Sequence, residues 1–271
     1  MKTNTQVVVI GGGVVGASVL YHLAKGGWTD VALLERAEYT AGSTWHSAGG
    51  MHTLNGDPNV AKLQQYTIDL YSEIHKESGI DASTHTTGGV ALADTPERMD
   101  WLRMTHARGR YLGMDTELIS TKEAKELLPI LDEQYFVGAM WDAHEGHLDP
   151  SQITHGYLEC SRKMGAETYR HTWVRDINRT ADGGWELILF DTTNDEDKGT
   201  IRCDHVVNAG GLWAREVGRM VGLELPLLAM EHMYLLTEEI PEVVQYNKDT
   251  GKEIIHAVDF GGEIYMRQEG N

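Results

Sequence analysis

Three glycines near the start of the chain have the spacing of a dinucleotide-binding turn. Gly11, Gly13 and Gly16 follow an apolar run at residues 6–10 and come just before a helical pattern. The first glycine of such a turn permits a tight bend, the second lets the backbone approach a pyrophosphate, and the third allows close helix–strand packing. The N-terminus of the helix would then offer N–H groups and a positive dipole end to the phosphates.

An acidic side chain closes the second apolar run, at residues 31–35. Glu35 stands where such folds place a carboxylate that accepts hydrogen bonds from the adenosine ribose. It also disfavours a ligand with a 2′-phosphate, because two negative groups would then face each other. We include the neighbouring Arg36 in the expected nucleotide site. The alternative interpretation is a structural glycine turn in another kind of α/β protein.

A second glycine-rich turn, Ala209-Gly210-Gly211, ends an apolar run far downstream and distinguishes between FAD and NAD. It resembles the second fingerprint of two-domain flavoproteins, in which a strand returns beside the dinucleotide after an inserted substrate domain. A one-domain NAD enzyme does not need this late return. We therefore expect Ala209 and Gly210 at the cofactor, together with Val174, which lies where such flavoproteins contact the adenine. The alternative is an ordinary strand–helix turn.

One imidazole, His46, stands among small residues in the segment Thr40–Met51. Small residues let the backbone approach a planar ring closely, and we expect four neighbours to join His46 at the cofactor: Ser43, Thr44, Ala48 and Gly49. An imidazole nitrogen can attack the activated 8α-methyl carbon of a flavin and form a covalent histidyl-FAD. The alternative is a loop histidine that is hydrogen-bonded to the backbone.

The run GSTWHSAG at residues 42–49 resembles the flavin-attachment motif of the dimethylglycine dehydrogenase and sarcosine dehydrogenase family. These proteins are FAD-dependent oxidoreductases similar to D-amino-acid oxidase. The resemblance extends over essentially the whole chain, through the motifs GGGVVG, TGGV, GHLDP, NAGG and EHMY. It implies FAD bound covalently through His46. It also implies an α/β fold in which an FAD-binding Rossmann-like domain of glutathione-reductase type carries an inserted β-rich substrate domain.

The resemblance further implies a reaction, because members of this family oxidise secondary or tertiary amines. The expected substrate is an N-methylated glycine such as dimethylglycine or sarcosine, demethylated through an iminium to formaldehyde or a folate-bound one-carbon unit. Electrons would pass to an electron-transfer flavoprotein or to oxygen. Tetrahydrofolate would bind a C-terminal region that lies outside this chain. Two alternatives stay open: oxidation of another small amino or hydroxy acid, and a regulatory homologue without turnover, since a subunit acting on pyruvate dehydrogenase phosphatase carries a similar segment.

His232 and Tyr234 are the expected catalytic residues. The surrounding segment alternates like a strand, so residues two apart would project to the same face. In the family an equivalent His-x-Tyr pair lies near the flavin, where tyrosine can bind a carboxylate and histidine can tune amine protonation. His52 and Arg267 are weaker candidates for the substrate site. The alternative is a strand whose His and Tyr pack in a core.

A dense polar cluster at His144, Glu145, His147 and Asp149 suggests a metal site. The spacing of these residues matches no ordinary zinc pattern. A polar turn at the start of a helix explains them better, and we expect no metal site.

Apolar periodicity and turn residues predict the elements that must position these residues. Helices are expected at residues 14–25, 58–78, 95–113, 121–128, 150–163 and 213–221, and strands at 6–10, 31–35, 86–93, 136–141, 167–173, 184–190 and 200–207. From residue 230 the tail alternates in three further β-like runs, and its end in the middle of such a pattern suggests a fragment of a longer protein. We expect an FAD domain of residues 1–85 and 145–225, completed beyond residue 271, and a substrate domain of residues 86–144 and 226–271.

The charge and composition limit the class of partner. The 271-residue chain has a formal net charge of -18, which disfavours polyanions, so we expect a small-molecule substrate and no nucleic acid. The start of the chain has no signal-peptide pattern, and no apolar run reaches the roughly 18 residues of a membrane span. Two cysteines far apart are neither a disulfide framework nor a metal cluster. These features predict a cytoplasmic protein.

Overall fold

The computed structural model describes residues 1–53, 55 and 57–270. Helices of the described chain are α1 (Val14–Lys25), α2 (Pro58–Ser78), α3 (Pro96–Tyr111), α4 (Thr121–Leu127), α5 (Pro150–Lys163), α6 (Ala214–Met220) and α7 (Pro241–Thr250). Its strands are β1 (Asn4–Ile10), β2 (Val31–Leu34), β3 (Gly50–Met51), β4 (Gly89–Ala93), β5 (Thr116–Ile119), β6 (Gly138–Asp142), β7 (Gly146–His147), β8 (Glu167–Tyr169), β9 (Thr172–Arg179), β10 (Trp185–Asp191), β11 (Glu196–Asn208), β12 (His256–Asp259) and β13 (Ile264–Met266). Among the described helices, none has the combination of length and apolar composition that crossing a bilayer requires.

The chain forms two compact units, each assembled from separate segments. The first unit comprises residues 1–47, 73–82 and 150–232, and the second comprises residues 48–72, 83–149 and the chain from residue 233 onward. Residues 48–72, which the sequence analysis assigned to the FAD domain, thus lie in the second unit. The assignment of the cofactor to one domain and the substrate to the other stays a prediction.

The first unit is built on a six-stranded sheet with the order β8-β2-β1-β11-β10-β9. The strands β8, β2, β1 and β11 are parallel, and β10 and β9 extend the sheet as an antiparallel ribbon. Residues Val7–Ile10 of β1 are all buried apolar residues, as a strand covered on both faces requires. The helix α1 connects β1 to its parallel neighbour β2 and packs against α5, where the rings of Tyr21 and Tyr157 lie 5.4 Å apart.

The second unit contains a five-stranded sheet with the order β13-β12-β4-β6-β5. In this sheet β12 runs parallel to β4, whereas β6 and β13 are antiparallel to their neighbours. The helix α4 begins with a capping box, in which the Ser120 hydroxyl accepts from the Glu123 N–H and the Glu123 carboxylate accepts from the Ser120 N–H. The short strands β3 and β7 pair separately. They bring residues near position 50 next to residues near position 146.

The tail differs from the sequence-based expectation in one important place. The prediction of a strand from residue 230 is wrong: residues 223–240 contain no helix or strand and join none of the three sheets of the described chain. Met233 and Leu235, two apolar residues of this run, are 99% and 84% exposed. Alternating polarity favours a strand only where a neighbouring strand supplies hydrogen bonds and an apolar face. The two later runs do form strands, β12 and β13.

Candidate functional site

The glycine turn of the first unit has the geometry that its spacing predicts. Gly11 has a φ of 113°, and a Cβ at this position would collide with the carbonyl oxygen of Ala209. A Cβ at Gly16 would collide with the carbonyl oxygen of Gly11. Both positions need glycine because β1, α1 and the end of β11 meet there without space for a side chain.

Gly13 differs from the other two glycines, because the atom nearest to its Cβ position belongs to a side chain and not to a backbone carbonyl. Among the described residues beyond its chain neighbours, the Thr44 hydroxyl oxygen alone lies within 4 Å of this position, at 3.0 Å. The helix that follows is twelve residues long and has no acidic residue in its first turn. An anion can therefore approach this backbone and the positive end of α1. The turn fits the pyrophosphate of a dinucleotide.

The Glu35 carboxylate lies beside this turn and organises its backbone. One oxygen accepts from the Gly12 N–H at 2.7 Å, and the other accepts from the Ala37 N–H at 2.8 Å. Each carboxylate oxygen has two acceptor sites, so both oxygens keep one for the hydroxyls of a ribose. The glycine turn and the acidic side chain thus form one hydrogen-bonded structure.

Thr44 links the expected attachment segment to the same helix. The residue before α1, Gly13, has no side chain to cap it, and the Thr44 hydroxyl instead accepts from the Val14 N–H at 3.0 Å. A second bond, from the Thr40 N–H to the Gly12 carbonyl at 3.1 Å, ties the segment to the turn. The sequence analysis identified Thr44 as a cofactor residue. The structure adds a positioning role that the sequence did not show.

Replacing Thr44 with valine is expected to destabilise the protein by about 1 kcal/mol, because the helix loses the side-chain cap that Thr44 supplies, at nearly constant volume. Thermal unfolding of the full-length variant measures this loss. Thr67→Val is the matched control, since the Thr67 hydroxyl only donates to the exposed Leu63 carbonyl within α2. We expect its effect to stay within about 0.5 kcal/mol. Equal effects of the two changes would contradict the capping role.

His46 is exposed and belongs to the first unit. Its Nδ1 lies 2.9 Å from the Gly42 carbonyl oxygen, and its ring lies 4.5 Å from the Trp45 ring. A carbonyl only accepts, so Nδ1 carries the proton of this bond and the lone pair of a neutral ring lies on Nε2. The hydrogen bond to the backbone, which the sequence analysis considered as an alternative to attachment, thus leaves a free nucleophilic nitrogen.

Two contacts near the nucleotide turn were missing from the sequence analysis. The guanidinium of Arg36 stacks on the ring of Trp213 at 3.8 Å. The Asn208 side chain accepts from the Gly210 N–H at 3.1 Å and donates to the Ala214 carbonyl at 2.8 Å, which shapes the Ala-Gly-Gly turn after β11. Asparagine favours such local backbone bonds, and its position just before the second glycine turn was the available signal.

The remaining expected cofactor residues have varied surroundings. Val174 is 3% exposed and packs into the apolar core of the first unit, so only its backbone is available for a nucleotide. Ser43 is exposed in the first unit. Ala48 and Gly49 belong to the second unit, where the Ala48 carbonyl accepts from the Arg267 Nε–H at 2.5 Å. Their contact with a cofactor stays a prediction.

His232 and Tyr234 do not lie on a strand, so the argument that places their side chains on one face is wrong. Both residues are exposed, Tyr234 to 65%. His232 is the last residue of the first unit, and Tyr234 lies in the second. A role in substrate binding stays a prediction that rests on the motif alone.

Histidines and acids far apart in sequence form two clusters in the second unit. His52, Glu145 and His256 form the first, which we call the His52 cluster; His85, His147 and Glu253 form the second, the His85 cluster. In the His52 cluster, burial raises the pKa of Glu145 and lowers the pKa of His256 to about 3, while the Glu145 carboxylate raises the pKa of His52. The sequence analysis considered His52 and Glu145 separately and did not consider His256.

The chain is similar to proteins of one family along its whole length. The family described as FAD dependent oxidoreductase (DAO) matches residues 6–271. Dimethylglycine dehydrogenase of Rattus norvegicus is 36% identical over 268 residues, which are 99% of this chain and 30% of that protein. Sarcosine dehydrogenase of Homo sapiens is 31% identical, with 100% and 28% covered. The pyruvate dehydrogenase phosphatase regulatory subunit of Mus musculus is 34% identical, with 98% and 29% covered. The chain thus spans less than a third of these relatives.

A solved structure agrees with this similarity at the level of the fold. The crystal structure of L-proline dehydrogenase from P. horikoshii has a TM-score of 0.82 and 23% identity, and the match covers 99% of this chain and 68% of that chain. The fold class expected from the sequence is therefore confirmed. The match to the family of FAD-dependent oxidoreductases indicates FAD binding. Since the family match extends from residue 6 to residue 271, the chain belongs to the DAO family of FAD-dependent oxidoreductases.

Proposed function

We propose that the full-length protein oxidises an N-methylated glycine, such as dimethylglycine or sarcosine, and releases its methyl group as formaldehyde or a folate-bound one-carbon unit. The observation that carries this proposal is the 36% identity to dimethylglycine dehydrogenase over 99% of the chain, in a protein with a dinucleotide turn. Loss of a hydride from the N-methyl carbon leaves an iminium, which water hydrolyses to the demethylated amine and formaldehyde.

The residues of the first unit fit the nucleotide part of FAD. The backbone at Gly13 and the N-terminus of α1 would receive the pyrophosphate, and Glu35 would accept from the ribose hydroxyls. FAD, when bound, supplies the acceptor for the hydride. The protein contributes the position of the cofactor and the orientation of the substrate.

His46 is the residue we propose to hold FAD covalently. Three features support this: its ring is exposed, the segment 40–51 around it is rich in small residues, and its hydrogen bond to Gly42 leaves Nε2 with the lone pair. The bond to the 8α carbon would therefore form at Nε2. Thr44, two residues earlier in the chain, anchors the same segment to α1 through the Val14 N–H.

His232 and Tyr234 are the residues we propose for the substrate. A tyrosine hydroxyl can donate to the substrate carboxylate, and an imidazole can take the proton of the substrate amine near neutral pH, which frees the nitrogen lone pair. The motif EHMY supports this assignment. Both residues are exposed, so neither is packed in an apolar core. Hydride transfer needs no separate strong base, so orientation is their main contribution.

Replacing Tyr234 with phenylalanine is expected to raise KM for the N-methylated glycine roughly 10- to 100-fold, because a hydrogen bond to a charged group is lost. Steady-state kinetics of the full-length protein measure this change, and kcat should change less than KM. Tyr111→Phe is the control, since Tyr111 is 89% exposed at the end of α3. An unchanged KM in the Tyr234 variant would remove this residue from the substrate site.

A substrate panel tests the reaction itself. The full-length protein is mixed anaerobically with dimethylglycine, sarcosine, glycine, proline and lactate, and the loss of flavin absorbance is followed. We expect the two N-methylated compounds to bleach the flavin fastest, with formaldehyde released in equal amount. Fastest bleaching by lactate or by an amine without an N-methyl group would support oxidation of another small acid and contradict demethylation.

A second candidate function is regulation without turnover. The 34% identity to the pyruvate dehydrogenase phosphatase regulatory subunit favours it, because that protein also matches nearly the whole chain. A flavin-loaded protein that no compound of the panel bleaches would support this candidate.

We further propose an electron-transfer flavoprotein or oxygen as electron acceptor, and tetrahydrofolate as a partner of the longer protein. The cytoplasmic location stays a prediction.

A further inference from the structure

The His52 cluster brings together three side chains from distant parts of the second unit. His52 follows β3, Glu145 lies between β6 and β7, and His256 begins β12. One nitrogen of each imidazole and one carboxylate oxygen all lie within 4.8 Å of one another. His52 Nδ1 lies 3.3 Å from Glu145 Oε2, and the two imidazole rings lie 4.7 Å apart. Three potential ligands of a cation therefore converge on one point.

His256 is buried without the partners that an imidazole needs. Its residue is 1% exposed, and neither ring nitrogen has a hydrogen-bond partner among the described residues. A neutral imidazole has one N–H to donate and one lone pair to share, and leaving either unsatisfied in the interior is costly. Such an orphaned group calls for a further occupant of the site, such as an ion.

Two glycines leave space around these three side chains. Gly89 pairs with His256 between β4 and β12, and a Cβ at Gly89 would collide with the Glu145 carboxylate. A Cβ at Gly50 would stand 3.2 Å from His256 Nε2 and 3.3 Å from His52 Nε2. The glycines therefore allow the carboxylate and both imidazoles to approach one another.

The charge around the His52 cluster favours a cation. Glu145 contributes a carboxylate whose side chain is 13% exposed, and the buried Asp142 carboxylate interacts electrostatically with both Glu145 and His52. His147 and the Arg267 guanidinium also interact electrostatically with His256. Two carboxylates and two imidazoles suit a doubly charged ion that prefers nitrogen and oxygen ligands.

We propose that His52, Glu145 and His256 bind a divalent transition-metal cation, and that Zn²⁺ is the ion this set of ligands suits. Two imidazoles and one carboxylate are a frequent three-ligand set for zinc, which leaves one position for water. Zinc bonds of about 2.0–2.2 Å place neighbouring ligand atoms roughly 3.4 Å apart, so small side-chain rotations would close the site. The ion would tie β12 to the segments before β7 and after β3.

The His85 cluster has the same ligand types and is less suitable for a cation. The rings of His85 and His147 stack at 4.8 Å with an angle of 11°, so they lie face to face instead of converging. The Arg267 guanidinium lies 3.4 Å from His147 Nδ1 and brings a positive charge next to it. The His85 cluster is therefore a matched control within the same unit.

Zinc uptake by the full-length flavoprotein tests this proposal. The protein is treated with a chelator, dialysed, and equilibrated with Zn²⁺ or Co²⁺, and bound metal is measured by elemental analysis. We expect about one equivalent bound tightly, and a Co²⁺ visible difference spectrum typical of a site with nitrogen and oxygen ligands. Protein without metal uptake would overturn the proposal. Metal content does not depend on turnover, so this result is separate from that of the substrate panel.

Variants locate the ion. His256→Phe keeps a planar ring of somewhat larger volume without ring nitrogens, so it should abolish tight uptake and the rise in melting temperature that Zn²⁺ produces, whereas His85→Gln should retain both. In the absence of metal, His256→Phe should be at least as stable as the parent protein, because two orphaned nitrogens are gone. If His256→Phe does not fold, Glu145→Gln provides the test in its place. This variant should also lose tight Zn²⁺ uptake. Uptake that survives in the Glu145 variant, or that is lost in the His85 variant instead, would overturn the assignment.

Discussion

Replacing His46 with alanine is expected to release the flavin from the polypeptide completely. In the parent protein, flavin fluorescence should stay with the protein after acid precipitation and on a denaturing gel. In His46→Ala the precipitated protein should be colourless, because no other imidazole of the segment 40–51 can replace the missing nitrogen. Mass spectrometry of the parent protein should find the flavin mass on the peptide that contains His46.

The control for this change is another histidine with the same local bond. His75 is exposed, and its Nδ1 lies 3.0 Å from the Ile80 carbonyl oxygen, much as His46 bonds to Gly42. His75→Ala should keep the flavin on the protein. If the flavin stayed attached in His46→Ala, or washed off the parent protein in acid, the proposed attachment would be wrong. Retention in the variant would move the bond to another residue, whereas loss from the parent would indicate a non-covalent cofactor.

Replacing Gly16 with alanine should have the largest effect on stability. The added methyl group would collide with the Gly11 carbonyl oxygen, and it would also stand 3.1 Å from the Gly11 carbonyl carbon and 3.4 Å from the Ala209 Cβ. Backbone atoms cannot turn away as a flexible side chain can, so α1 must move off β1. We expect a loss of more than about 3 kcal/mol and no flavin loading. Thermal unfolding measures the loss of stability, and the ratio of flavin to protein absorbance measures the flavin loading.

Gly27→Ala separates this collision from the general effect of losing a glycine. Gly27 has a φ of 93°, but nothing lies within 4 Å of its Cβ position. The cost there is strain of the backbone alone, about 1 kcal/mol, and flavin loading should be retained. Equal losses in the two variants would show that close packing at Gly16 is not what the turn requires.

The nucleotide turn was predictable because its determinants are local. The helix α1 begins and ends where the sequence analysis expected it, at Val14 and Lys25, and α2 likewise spans Pro58–Ser78. The glycine turn is defined by the space available to three residues near each other in sequence. The cap that Thr44 supplies to α1 was not predictable in this way, since the two partners lie 30 residues apart.

The tail was harder to predict because its signals conflict. The helix α7 was missed although the sequence contains its start and stop: Pro241 is the first residue of the helix, and Gly251 has the left-handed φ of 67° that ends it. Apolar residues on both sides of it suggested strands instead. Residues 230–236 alternate as a strand does, but alternation does not reveal whether a neighbouring strand is present.

The His52 cluster lay outside the range of sequence reasoning. Its ligands stand at positions 52, 145 and 256, so spacing along the chain contains no zinc pattern. The sequence analysis looked for a metal among neighbours of Glu145 and expected none. The register of the sheet shows where His256 lies, because β12 pairs with β4 and places His256 opposite Gly89. This pairing could not be read from the sequence.

The position of β11 beside β1 has a consequence for biosynthesis. In the folded chain Gly11 lies against Ala209, at the end of β11, and roughly 200 residues separate the two. At about 5–20 residues per second, the ribosome needs on the order of 10–40 s to deliver this second half. During that time β1 has β2 on one side and an unpaired edge on the other. We therefore expect flavin to bind only after β11 has been synthesised and has paired with β1.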